Sequence, residues 1–122
     1  MPDTDRTSPP PILTILTEFC TWAMERTADF PKPQRHTLAE KLDRTALDAM
    51  ELTIVARFAT RKEKSAALGQ LNVKLEVLRC FWRVALERYF ISQQQAVFLN
   101  GRLDEIGRMA GAWLRSIEKV PQ

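Results

Sequence analysis

Apolar residues recur along most of the chain at steps of three and four, the spacing of helices that each bury one side. A first helix is expected from about Ile12 to about Asp29, with Ile12, Ile15, Leu16, Phe19, Trp22 and Ala23 on one face, and Pro31 and Pro33 stop it. A second starts near Thr37, where Thr37-x-x-Glu40 has the spacing of a capping box. Its inward positions 38, 42, 45, 49, 52, 56 and 59 alternate steps of four and three, a heptad seam of Leu, Thr and Ala. "TRKEKS" (60–65) reads as a short charged loop. The third helix then carries a seam at Leu68, Leu71, Leu75, Leu78, Trp82, Ala85 and Tyr89, and Ser92-x-x-Gln95 reads as another capping box, at the start of the fourth helix. That last seam runs Leu99, Leu103, Ile106, Ala110, Trp113, Ile117 and Val120. No stretch shows the period-two alternation of a strand. The pattern predicts an all-α fold, an antiparallel up-down four-helix bundle over residues 12–120.

One segment carries more apolar surface than such a bundle needs. In "LEVLRCFWRVALERYF" (75–90), Glu76, Arg79, Arg83 and Glu87 share a narrow stripe at about 100° per residue, and the apolar arc fills well over half of the circumference. A bundle core requires a stripe of only roughly 100°. The third helix is therefore expected to offer its surplus to another partner, most simply a second copy of the chain. The alternatives are a central helix buried on three sides, and a bundle end plugged by Tyr89 and Phe90. Glu76–Arg79 and Arg83–Glu87 have the i,i+3 and i,i+4 spacing of pairs that neutralise each other along a helix. Arg88 lies off that stripe without an acidic neighbour at helical spacing, which makes it the foremost candidate for an inter-subunit or ligand contact.

Composition narrows the chemistry. A chain of 122 residues, 45% hydrophobic and 27% charged, fits one globular domain. "MPDTDRTSPPP" (1–11) is polar, Pro-rich and without an apolar stretch, so it is expected to be a disordered tail and no signal peptide. No apolar run approaches the ~20 residues of a membrane span, and a cytoplasmic location is expected. Cys20 and Cys80 fall within apolar helical patterns, which suggests buried free thiols rather than a disulfide or a zinc site. Residues 1–29 hold two Lys/Arg against five Asp/Glu, a balance of −3, whereas residues 30–91 hold twelve against seven, a balance of +5. The basic middle permits a polyanionic partner without requiring one. The single histidine, His36, sits in a linker beside Arg35 and Thr37 with no nucleophile–base spacing around it, and no Glu-x-x-His pair suggests a di-iron bundle. Gly101, Gly107 and Gly111 lie in a helix, so they form no phosphate loop; Gly107 and Gly111 share a face and are expected to admit a closely packed helix. No catalytic residue, metal ligand or cofactor site is predicted.

Three stretches, in order and in register, carry a family resemblance. "FPKPQRHTL" (30–38), "VLRCFWRVA" (77–85) and "EIGRMAGAW" (105–113) resemble the FPK-x-x-R, LR-x-x-x-R and EIGR-x-x-G-x-W signatures of four-helix-bundle proteins related to Avd, the accessory variability determinant of bacterial diversity-generating retroelements. The same superfamily includes proteins encoded in intervening sequences of 23S rRNA genes. The resemblance implies a non-catalytic, homopentameric barrel that binds the retroelement's reverse transcriptase and template RNA during mutagenic cDNA synthesis. It implies architectural roles for Phe30, Gly107, Gly111 and Trp113, beside Trp82 of the third seam, and places Arg35, Arg79, Arg83 and Arg108 where they could meet an anion or the polymerase; Arg88 joins them on the helical-wheel argument above. Two departures stand out: Gly111-Ala112 replaces the family's paired glycines, and a net charge of +3 is modest for a family that is strongly basic. The alternative is an intervening-sequence-type oligomer that serves protein interaction or structure and binds no nucleic acid.

Overall fold

A computed structural model describes residues 11–119, which form four α-helices: α1 (Pro11–Thr27), α2 (Leu38–Phe58), α3 (Arg61–Glu87) and α4 (Gln93–Lys119). A single 3-10 turn, Lys32–Gln34, lies between α1 and α2, and no strand occurs among the described residues. Each helix packs on the next, and α4 returns to α1, which closes the four into a bundle. The anticipated seams supply the core. Leu16, Phe19, Leu42, Leu68, Leu71, Leu75, Leu78, Trp82, Leu99, Leu103 and Ile106 are all fully buried. Apart from Leu42, the inner face of α2 is made of small residues, Ala39, Thr45, Ala46, Ala49, Thr53 and Ala56, which leaves room for the larger side chains of α1 and α3. Val120 and the Pro-rich stretch up to residue 10 lie outside the described residues, and Pro11 already belongs to α1.

The helix ends correct the sequence reading most. Thr37 precedes α2, but its hydroxyl lies 3.1 Å from Gln34 Oε1 and makes no cap; Glu40 faces His36 and Arg44 instead. The expected loop at 60–65 is largely helix. Thr60 Oγ1 accepts from the Glu63 amide while Glu63 Oε1 accepts from the Thr60 amide, so the capping box sits here. The other charges close neighbouring helices: Lys64 Nζ donates to the carbonyls of Ala56 (2.7 Å) and Arg57 (3.0 Å) at the end of α2. Arg61 donates to the Ile117 carbonyl (2.8 Å) near the end of α4. These carbonyls have no partner within their own helices. Ser92 and Gln95 form the reciprocal pair expected of them.

Tyr89 does not join the seam of α3. It follows the Arg88 cap with φ 63 and is 93% exposed, while the Phe90 amide reaches the Ala85 carbonyl (2.8 Å) and the Tyr89 amide the Leu86 carbonyl (3.0 Å). That is a Schellman termination with tyrosine at the position usually held by glycine. Phe90 takes up the plugging role, its ring 5.2 Å from that of buried Phe30. At the other end of the bundle Trp113 is only partly buried. The Trp22–Phe98 contact (5.1 Å) ties α1 to α4. Trp113→Ala should therefore cost well under the ~3–5 kcal/mol expected of a fully buried indole.

Candidate partner interface

Helix α3 shows two faces to the bundle and its surroundings. Its inner seam includes Trp82, 1% exposed, against which stand the rings of Trp22 (6.1 Å) and Phe30 (5.9 Å, edge-on). Its outer side carries Val73, Val77, Cys80 and Val84, whose steps of four, three and four make a second heptad seam. Val77 is half-buried, whereas Val73 (62%) and Val84 (45%) are exposed along with Cys80. Leu47, Ile54, Val55 and Phe58 are exposed on α2 beside it. The surplus apolar arc is thus real surface on the α2–α3 hairpin, and burial of α3 on three sides within one bundle is ruled out. Cys80, expected to be buried, belongs to this outer seam because its wheel position faces away from the core.

Cys20 is the buried thiol, its sulfur 3.4 Å from the Ala46 carbonyl. Burial, and after it the charge of Asp43, pushes its pKa up to about 11, so it stays protonated at neutral pH. Burial also raises the Asp43 carboxyl above its ordinary value, against the lowering effect of the Thr27 hydroxyl 2.7 Å away.

The arginines divide into two groups. Arg79 is committed within the bundle: it pairs with Glu76 on its own helix, reaches Asp104 on α4 (3.2 Å) and donates to the Leu103 carbonyl (3.3 Å). Arg83 pairs with Glu87 (3.1 Å) in full solvent. Arg35 is exposed beside a cavity of about 270 Å³ that Thr27, Phe30 and Asp43 also line. Arg108 faces a groove of about 500 Å³ between α3 and α4, shared with Arg79, Arg115 and Asp104. Arg88 lies with its guanidinium 5.7 Å from the Phe90 ring. None of Arg35, Arg88 and Arg108 has an ion-pair partner among the described residues.

Gly107 and Gly111 floor that groove: at Gly107 the neighbours are side chains of α3, Arg79 and Leu75, and at Gly111 the neighbour is Arg115 of its own helix. A β-carbon on Gly107 would stand 3.3 Å from Arg79 Nη2, and one on Gly111 would stand 3.4 Å from Arg115 Nη1. A β-carbon at 107 would crowd the tip of Arg79 where it donates to the Leu103 carbonyl, and a larger side chain would press on it further. At Gly101 nothing stands within 4 Å. Gly107→Leu should therefore unfold in urea about 1 kcal/mol more easily than Gly101→Leu, the worth of a charge-assisted bond partly screened by water. Equal stabilities would show that Arg79 does not depend on the gap.

A further cluster went unread in the sequence. Arg26 lies over Trp22 (5.5 Å) and Arg102 over Phe98 (5.4 Å), and the two rings meet between α1 and α4. Both cation–ring pairs have i,i+4 spacing, which was the available signal.

Among the described residues no three His, Cys, Asp or Glu side chains gather as a metal site would need, and no helix is long and apolar enough to cross a membrane. Fold and surface define a helical bundle with an apolar outer hairpin and several unpaired arginines. The chain belongs to the bAvd-like family, whose profile it matches over residues 12–117, across all four helices. No curated protein and no solved structure matches it.

Proposed function

We propose that the chain is a non-catalytic accessory subunit of Avd type, which assembles as a homo-oligomer, a pentamer by family resemblance, and docks on a reverse transcriptase and its template RNA in the cytoplasm. The observation that carries this reading is the family match across α1–α4. The outer seam of α3 supports assembly, because an exposed heptad face is what a neighbouring subunit covers. Assembly in turn repeats Arg35, Arg88 and Arg108 around a ring and turns a weakly basic monomer into a dense positive surface.

A second reading has an observation in its favour. Arg79 and Arg83 are neutralised by Glu76, Asp104 and Glu87, so the stripe could be structural and the oligomer of the intervening-sequence type, without a nucleic-acid role. The variant Arg79→Gln/Arg83→Gln/Arg88→Gln separates the two. The accessory reading expects the oligomer to stay assembled, at a cost of about 1 kcal/mol from the lost Arg79 tie, while capture of a reverse transcriptase–RNA complex weakens and its dependence on log salt concentration flattens. Lowered stability with capture per folded oligomer unchanged would assign these arginines to structure alone.

A further inference from the structure

The junction of α3 and α4 holds a residue in a strained conformation. Among the described residues Tyr89 is the one non-glycine with positive φ. A β-carbon in that conformation crowds the following carbonyl oxygen, which is why glycine is the usual occupant. The two hydrogen bonds of the Schellman turn and the Phe90–Phe30 contact hold the backbone there, but nothing holds the ring: it is 93% exposed and neither packs on another ring nor bonds through its hydroxyl. The left-handed turn sends Phe90 onto Phe30 and leaves Tyr89 outside, with both ring faces open.

The segments that meet at this end carry cations beside two exposed carboxylates, Asp29 and Glu87, of which Glu87 is paired with Arg83. Arg88 precedes Tyr89, and the Phe30–Phe90 contact brings the connection that carries Lys32 and Arg35 to the same end of the bundle. None of these three cations has an ion-pair partner among the described residues. Exposed Ser92, Gln93 and Gln94 follow on the other side. Of Tyr89's neighbours in the chain, Arg88 is charged and the Phe90 ring is turned onto Phe30, so neither gives a protein partner apolar surface to bury with the tyrosine. An open aromatic ring among unpaired cations suits a single-stranded polynucleotide, since any base can stack on the ring while the cations meet phosphates.

We propose that Tyr89, with Arg88, Lys32 and Arg35, forms a stacking site for an unpaired nucleotide of single-stranded RNA. This rests on the RNA part of the accessory reading and deepens it. The strain is then the cost of holding the ring clear of the bundle.

The test is a titration of fluorescently labelled decauridylate with the full chain, its Tyr89→Gly variant and its Tyr89→Phe variant. Tyr89→Gly is expected to melt a few degrees higher, because the strain is relieved, yet to bind the RNA about tenfold more weakly. Tyr89→Phe keeps the ring and should bind as wild type. The site is overturned if Tyr89→Gly binds RNA like wild type, or if Tyr89→Phe loses as much as Tyr89→Gly. Tyr89-dependent binding of labelled decaglutamate in place of RNA would assign this end to an acidic protein segment and equally overturn it. RNA binding that ignores Tyr89→Gly, with reverse transcriptase capture intact, removes the site and leaves the accessory reading standing. Tyr89-dependent RNA binding by a chain that captures no reverse transcriptase does the reverse.

Discussion

Val73→Glu/Val84→Glu should yield a folded monomer. Both valines are exposed in the single bundle, so glutamate there is expected to change its own stability by no more than about 0.5 kcal/mol. If the outer seam of α3 is packed against a neighbouring subunit, each copy would bring two carboxylates into an apolar contact. The penalty is several kcal/mol for each charge taken out of water without a partner, enough to dissociate an ordinary subunit contact. Circular dichroism should show the helical bundle intact and sedimentation should show the 14.0 kDa chain. Cys80 reports the same event from within the seam: a thiol reagent should label it slowly in the wild-type assembly and fast in the double variant, with Cys20 protected in both. A double variant that assembles like wild type would move the interface away from α3.

The second large effect belongs to Trp82. It is the largest fully buried side chain, ringed by Trp22 and Phe30, and Trp82→Ala should destabilise the bundle by about 3–5 kcal/mol, or roughly 10–20 °C in melting temperature. Its indole nitrogen adds a sharper test, because Nε1 is buried without a hydrogen-bond acceptor. An orphaned donor costs part of what the ring's burial contributes. Trp82→Phe removes that donor and keeps an aromatic ring, so its loss should stay below about 1.5 kcal/mol. If phenylalanine proves as damaging as alanine, the indole N–H has a partner in solution or the pocket cannot close on a smaller ring.

The inner seams were legible because a core that excludes water imposes one period over many turns, and Leu68, Leu75, Leu103 and Ile106 each follow it. The apolar surplus of α3 was legible for the same reason. End chemistry was not, since one short motif can serve two purposes. Thr37-x-x-Glu40 and Thr60-x-x-Glu63 have the same spacing, and only the second caps, because the Thr37 hydroxyl turns to Gln34 in the preceding turn. The run at 60–65 has the charge of a solvated loop because its side chains close the end of α2 just before it and the end of α4, which is remote in sequence. Tyr89 sat at a seam position by counting alone, which cannot tell where a helix stops. Gly107 does face a neighbouring helix, α3, but spacing alone cannot say that it meets α3 through the tip of Arg79. As for the site, the spacing of Glu76, Arg79, Arg83 and Glu87 gave away their pairing, whereas the cross-helix reach of Arg79 to Asp104 depends on tertiary packing.

Assembly is the claim on which the accessory reading most depends, and the mass of the wild-type particle tests it directly. Light scattering on the purified full chain at micromolar concentration should give a multiple of 14.0 kDa, about 70 kDa for the pentamer expected from the family. A particle of 14.0 kDa under those conditions would leave the outer seam of α3 without a neighbouring copy and contradict the account.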